Sequence, residues 1–98
     1  MKGDIKMQFE LKGEAEVFAE LKEQMTKKGK TAVRLHMAGV GWNGPLYDLE
    51  FADPEEDDVH EDIQGIRFIV KKKHARGVGS REIIKHGRIM IKRDMCGC

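Results

Sequence analysis

The stretch TAVRLHMAGVGWNGPLYDLEF, residues 31–51, determines the architecture because two alternating segments flank a glycine-rich turn. In the first segment, apolar residues alternate with polar ones, namely Val33, Leu35 and Met37 with Arg34 and His36. In the second segment, the alternating large residues are Tyr47, Leu49 and Phe51. A period of two is typical of strands with one buried face. We therefore predict a β-hairpin or two adjacent strands here.

An amphipathic helix precedes this pair of strands. In EAEVFAELKEQMTKKGK, residues 14–30, apolar residues recur at spacings of three and four, at Ala15, Phe18, Leu21 and Met25. Acidic residues come early and lysines late, which suits the helix dipole. Gly29 is expected to end the helix. This segment predicts one helix with a single apolar face.

Further alternating runs follow the hairpin. The segments GIRFIV and RIMIKR read as strands, and EIIK as a short strand. DPEEDDVHED is expected to be a turn followed by an acidic, solvated segment, and KKKHARGVG to contain at most a short helix. Together these elements predict a mainly β, α+β domain, in which an N-terminal helix packs on a small curved mixed sheet in two layers.

Composition limits the classes of protein to consider. A chain of 98 residues suits one domain, here residues 1–98. No stretch approaches the roughly 20 apolar residues that span a bilayer, so no membrane segment is expected. The formal net charge is only +1, which argues against nucleic acid as a partner. We expect a cytoplasmic protein.

The glycine-rich turn contains GVGWNG, residues 39–44, which matches the G-x-G-x-x-G dinucleotide pattern. In a dinucleotide site a helix follows the glycines, because the helix amides bind the pyrophosphate. Here Pro45 and a strand pattern follow instead. The turn therefore reads as a loop whose glycines adopt positive φ.

Three other patterns carry weak functional signals. The acidic run places Asp53, Glu55 and Asp57 at alternate positions, as in a calcium loop, but lacks the required glycine at the sixth position. The basic cluster KKKHAR has no interleaved aromatic residues, so an ordinary charged surface is favoured over RNA binding. The histidines show no short metal-ligand spacing; they are His36, His60, His74 and His86.

The segment RDMCGC, residues 93–98, holds the only two cysteines, Cys96 and Cys98. In an extended chain their Cα atoms lie roughly 6.6 Å apart on one side, and Gly97 allows the backbone to curl so that both thiols reach one ion. Two thiolates can chelate iron or another soft metal, but they do not complete a four-coordinate site. A homodimer supplies four sulfurs, enough for a two-iron cluster or a zinc ion. The alternative is a flexible tail, residues 94–98, with two exposed thiols.

The order of these features resembles the HesB/IscA family, the A-type carriers of iron-sulfur cluster assembly. The resemblance covers nearly the whole chain and rests on GWNGPLYDLEF in the loop and strand, ADPEEDDVHED in the turn, and RDMCGC at the end. It implies a HesB-like fold in which a loop cysteine and two tail cysteines bind iron or a [2Fe-2S] cluster. Cys96 and Cys98 match the tail pair, whereas Trp42 occupies the loop position and offers no metal ligand.

Three hypotheses follow for function. The first is a HesB-like, non-enzymatic carrier that binds iron or a [2Fe-2S] cluster through Cys96 and Cys98, as a homo-oligomer, and passes it between scaffold and recipient proteins. The second is a diverged interaction protein that has lost the cluster and contacts partners through the loop of Trp42, Gly41 and Gly44. In the third, the two thiols are a redox pair that forms a disulfide reversibly.

Overall fold

The computed structural model describes residues 9–42 and 44–93 of the chain. In these residues the chain forms seven strands, one α-helix and one 3₁₀ helix. The elements in chain order are β1 Glu10–Lys12, α1 Ala15–Lys27, β2 Ala32–Gly41, β3 Gly44–Ala52, β4 Asp58–Ile63, β5 Ile66–Lys71, the 3₁₀ helix Lys72–Gly77, β6 Ser80–His86 and β7 Arg88–Arg93. The described helices include none with the length and apolar character needed to cross a membrane.

The strands form two mixed sheets. One has the order β1-β6-β7, with β1 parallel to β6 and β6 antiparallel to β7. The other has the order β3-β2-β5-β4, in which only the β2–β5 pair is parallel. The mainly β, α+β class is therefore confirmed, although the strands are divided between two sheets.

Helix α1 joins both sheets to one core. Phe18, Leu21 and Met25 are buried as the spacing predicted, whereas Ala15 is exposed and Val17, which the prediction did not include, is buried. The Phe18 ring meets the Phe68 ring edge to face, with centroids 6.0 Å apart. Core residues from β1 and β6, Leu11 and Ile83, belong to the same cluster. The helix thus holds the two sheets together through apolar contact.

The central hairpin is confirmed and is longer than expected. Its core-facing pairs are those that the alternation predicted, namely Val33 with Phe51, Leu35 with Leu49, and Met37 with Tyr47. The ladder continues through the glycines as far as the pair of Gly41 and Gly44. Most of the predicted glycine-rich loop is therefore strand, and only positions 42 and 43 lie between β2 and β3.

The acidic segment after the hairpin differs from expectation. The residues DVHEDI form strand β4, antiparallel to β5, rather than a solvated stretch. Val59 and Ile63 pack against the core and form the apolar face of this strand. The charged residues between them make this face hard to recognise from the sequence. The charged side chains of this strand lie on an edge of the sheet, where charge discourages pairing with other chains.

Candidate functional site

The predicted loop residues lie at the tip of the central hairpin. Gly41 and Gly44 form the last pair of the ladder, and Trp42 follows with its side chain fully exposed, at 103% of its reference area. Cys96 and Cys98, with the tail 94–98 predicted to be flexible, lie outside the described residues. Of the two predicted parts of the site, the structure therefore describes only the loop, which lies at the tip of the central hairpin.

A β-bulge controls which side chains flank this tip. Pairing shifts between Met37 and Gly39, so that one extra residue is accommodated in β2. Beyond the bulge Val40 lies opposite Pro45, which shares a face of β3 with the core residue Tyr47. Without the extra residue, strict alternation would turn Val40 to the other face. The bulge therefore extends the core-side face of the hairpin beyond the core, and Val40 there is 77% exposed.

Tyr47 fixes the root of the hairpin to the 3₁₀ helix. Its hydroxyl donates a hydrogen bond of 2.7 Å to the carbonyl oxygen of His74, and burial raises the pKa of the phenol. Gly77 packs so closely that an added Cβ would lie 2.8 Å from Tyr47 Oη and 2.9 Å from Pro45 Cγ. Only glycine fits this approach, which joins the 3₁₀ helix directly to the hairpin.

Arg81 connects the same region to the last strand. Its buried guanidinium donates hydrogen bonds to the carbonyl oxygens of Val78, at 2.8 Å, and Gly77, at 2.9 Å. Its Cζ lies 4.8 Å from the centre of the Tyr47 ring, within the range of a cation–π contact. In the β6–β7 ladder Arg81 lies opposite Arg93, the final described residue. The chain therefore leaves the described fold close to the root of the hairpin.

The acidic turn lies at the other end of the hairpin and is organised around a buried ion pair. Arg34 Nη1 is 2.6 Å from Asp58 Oδ1, and the two side chains are 8% and 2% exposed. The hydrogen bond from Arg34 to Asp58 raises the pKa of the arginine. The backbone N–H of Glu55 donates to the other oxygen of Asp58 at 2.7 Å. Asp58 thus holds the turn together through contacts with Arg34 and Glu55, and this structural role accounts for an aspartate in place of the calcium-loop glycine.

The exposed carboxylates around this turn also form hydrogen bonds and ion pairs. Thr31 donates two hydrogen bonds to Asp53 Oδ1, at 3.0 Å from its N–H and 2.9 Å from its hydroxyl. Lys71 bridges Glu55 and Asp57, at 3.0 Å from the latter. These hydrogen bonds, from Thr31 and Lys71 respectively, lower the pKa of Asp53 and Asp57. Within residues 9–42 and 44–93, no group of three or more His, Asp or Glu side chains is arranged to hold a metal ion.

Acid is expected to weaken the fold through these two aspartates. Because their pKa is lower in the folded chain than the ordinary value of 3.8, their stabilisation is present above about pH 4 and is lost as the pH falls through the folded values. The midpoint of urea unfolding, measured from about pH 5 to about pH 2.5, should therefore fall with pH. Asp53→Asn and Thr31→Val should each make this fall shallower.

Thr26→Val is the matched control, because the Thr26 hydroxyl donates to the carbonyl oxygen of Lys22 rather than to a carboxylate. It should leave the pH dependence unchanged. An equally steep fall of the unfolding midpoint in wild type, Asp53→Asn and Thr31→Val would contradict the role given to Asp53 and its hydrogen bonds from Thr31.

Sequence reasoning missed four residues that shape the site. Arg34 and Arg81 look like surface positions, and no local signal predicts their burial. The role of Val40 depends on the bulge, for which Gly39 within a strand pattern was the available sign. The contact of Tyr47 with the 3₁₀ helix joins residues 27 positions apart, so it has no signature in the sequence.

Comparison with known proteins shows which solved structures share this fold. No protein-family model and no curated protein sequence matches the chain. Among solved structures, it is similar to SufA of Escherichia coli, involved in biosynthesis of iron-sulfur clusters, with a TM-score of 0.62, 22% identity, and coverage of 91% of this chain and 82% of SufA. It is similar to IscA with the [2Fe-2S] cluster, with a TM-score of 0.60, 16% identity and coverage of 84% and 81%.

A protein from Aquifex aeolicus, solved by solution NMR, is a third similar structure, with a TM-score of 0.59 and 18% identity over 91% of this chain and 96% of that one. All three likenesses extend over most of both chains, although the sequence identities are low. The resemblance read from the loop, the turn and the tail is thus confirmed at the level of the fold, and the chain has the fold of the A-type iron-sulfur proteins SufA and IscA.

Proposed function

We propose that this chain is a carrier of iron or [2Fe-2S] clusters, which binds its cargo through Cys96 and Cys98 and delivers it to recipient proteins. The observation that supports this most is the likeness, over 84% of the chain, to IscA with its cluster. The Cys-Gly-Cys pair adds the ligand chemistry, since thiolates are the usual ligands of iron-sulfur clusters.

The described fold gives the cysteines a defined starting point. Cys96 follows Arg93 by three residues, so the covalent chain holds their Cα atoms within about 11 Å of each other. Arg93 lies opposite Arg81, whose side chain stacks on Tyr47 at the root of the hairpin. Cargo bound by the pair would therefore be held near the root of the hairpin whose tip carries Trp42.

Two chains are needed to complete the ligand set in this proposal. One chain offers two thiolates, and a homodimer offers four, the number that a [2Fe-2S] cluster or a zinc ion requires. Trp42 supplies an N–H donor and a large apolar surface but no ligand. The proposed chemistry is exchange of thiolate ligands between proteins, without catalysis on an organic substrate. Reduced thiolates fit a cytoplasmic location.

Anaerobic reconstitution tests this proposal. Reduced protein supplied with iron and sulfide should gain visible absorbance of the charge-transfer type. Replacement of both Cys96 and Cys98 by serine should abolish the absorbance, because no other cysteine exists in the chain. Trp42→Phe, which keeps an aromatic side chain without a ligand, should retain it. A colourless wild-type product would overturn the proposal.

A second candidate is an interaction protein that has lost its cargo and uses the hairpin tip. The full exposure of Trp42 favours it, because an exposed tryptophan is a common anchor of protein interfaces. Under this candidate, Trp42→Ala should abolish capture of a partner, and the double Cys→Ser variant should capture it normally. Under the carrier proposal, the double Cys→Ser variant loses its cargo even where capture persists.

A further inference from the structure

The outer part of the central hairpin carries no charge. Residues 37–47, MAGVGWNGPLY, include no Asp, Glu, Lys, Arg or His, although 36% of the chain is charged. Acidic and basic side chains resume on both strands at the same level, where His36 pairs with Asp48. The hairpin therefore changes from a charged to an uncharged ribbon at one boundary.

The exposed apolar side chains are concentrated in this uncharged ribbon. Among residues 9–42 and 44–93, the large hydrophobic residues that are mostly exposed are Val40, Trp42 and Leu46, the last at 53%. Val40 lies opposite Pro45 on the core-side face, whereas Leu46, the next residue of β3, projects from the other face beside Gly41. We call Val40, Trp42 and Leu46 the apolar tip. Apolar surface thus lies on both faces of the hairpin.

The apolar tip is poorly suited to a protein partner, including a second copy of this chain. A stable interface takes roughly 800 Å² from each partner, and a fully exposed tryptophan supplies only roughly 250 Å² of this. A protein interface also has a polar rim with hydrogen bonds, but the only polar side-chain group of the apolar tip is the indole N–H of Trp42. A flat protein surface would cover one face and leave either Val40 or Leu46 in water.

The interface of a lipid bilayer matches these features. It surrounds an inserted hairpin on both faces, requires no ion pairs, and favours tryptophan, whose ring lies at the level of the headgroups. Entry is limited by Gly77 of the 3₁₀ helix, which packs on Pro45, and by the charge of Asp48. The strand from Gly44 to Tyr47 rises roughly 10 Å, which is similar to the depth of about 5–10 Å at which interfacial elements lie.

We propose that the apolar tip is a docking site for a lipid bilayer, into whose headgroup boundary the end of the hairpin enters without crossing the membrane. Val40 and Leu46 leave water together, on opposite faces, and the Trp42 ring anchors the tip. The contact is weak and reversible because few side chains are buried. The inference goes beyond the carrier function and requires neither cysteine.

Vesicles of phosphatidylcholine, a lipid without net charge, are the probe, and they are added to reduced, metal-free, full-length protein. Because Trp42 is the only tryptophan, its emission reports directly on the apolar tip. We expect a saturable blue shift, and quenching by phosphatidylcholine that carries a bromine label near the headgroup end of the acyl chain. Since the tip is uncharged, raising the salt from about 0.05 M to about 0.5 M should change the affinity less than about twofold.

Variants on the two faces test whether both enter the lipid. Val40→Ser and Leu46→Ser should each weaken vesicle binding about fivefold, because each removes apolar surface that leaves water. Val40→Ile and Leu46→Ile are the matched controls and should bind within about twofold of wild type, since they remain apolar. In co-sedimentation with vesicles, Trp42→Ala should stay in the supernatant.

Four results would overturn the inference. The first is no blue shift with vesicles, and the second is binding only to anionic vesicles that is lost at high salt. The third is a loss in only one of the two serine variants, which would indicate a protein surface covering one face. The fourth is a blue shift that rises with protein concentration without lipid, which would make a second copy the occupant. Since the assay contains no iron, failure of the carrier proposal would leave these outcomes unchanged.

Discussion

Replacing Arg34 by alanine is expected to lower the free energy of unfolding by about 3–5 kcal/mol. The change removes the guanidinium 2.6 Å from Asp58 and leaves that carboxylate, whose side chain is only 2% exposed, without its counter-ion. Leaving one buried charge without its partner is strongly destabilising, whereas replacing both members of a buried ion pair by apolar residues often changes the free energy of unfolding little. Because a domain of this kind is stable by roughly 5–15 kcal/mol, the variant loses a large part of its stability.

Urea unfolding measures this loss, and Arg67→Ala is the control. Arg67 pairs with Asp62 at 3.1 Å, but the two side chains are 48% and 58% exposed. Removal of such a surface pair should cost no more than about 1 kcal/mol. Equal losses in Arg34→Ala and Arg67→Ala would contradict a buried role for Arg34.

Replacing Phe18 by alanine is expected to cost about 3–5 kcal/mol as well, by opening a cavity in the core. Phe18 is 1% exposed and packs edge to face on Phe68 of β5. Because helix α1 carries this ring into the core shared by both sheets, the cavity weakens contacts of the helix with each sheet. The same unfolding measurement tests the prediction.

Phe18→Leu separates the volume of the side chain from its aromatic contact. It fills most of the space, so we expect a loss of no more than about 1.5 kcal/mol. A loss from Phe18→Ala as small as that from Phe18→Leu would show that the helix contributes little to the core.

Local pattern predicted the elements whose signals are periodic. The spacing of Phe18, Leu21 and Met25 gave the helix, and the alternation of Val33 and Tyr47 with their neighbours gave the hairpin. Local pattern did not predict strand β4, because its residues are mostly charged and it is a strand only through its pairing with β5. Strand β4 begins at Asp58 within an acidic run, and its existence depends on pairing with β5, which lies later in the chain.

The buried arginines show the same limit. Alternation assigns Arg34 to the polar face of β2, yet the turn after β3 covers that face and brings Asp58 onto the guanidinium. Burial of Arg81 likewise depends on the carbonyl oxygens of the 3₁₀ helix and on Tyr47. Which residues cover a strand is a property of the tertiary fold, so the strand alone does not reveal it.

For the candidate site, the ligand chemistry read from the sequence stays a prediction, and the structure supplied the surroundings of the hairpin tip. The tail pair Cys96 and Cys98 and the loop residue Trp42 were evident from residue type and order. The direction of Val40 was not, because one extra residue in β2 reverses it. The basic segment looked like an ordinary charged surface, and only the structure shows that Gly77 and the His74 carbonyl of its 3₁₀ helix lie against Pro45 and Tyr47 of the hairpin.

The carrier proposal is tested most directly by counting iron and acid-labile sulfide per chain in anaerobically reconstituted protein, together with its mass in solution. A [2Fe-2S] cluster shared by two chains through Cys96 and Cys98 predicts about one iron and one sulfide per chain in a species of twice the chain mass. Reduced protein that stays free of iron and sulfide at every loading condition would contradict the proposed carrier.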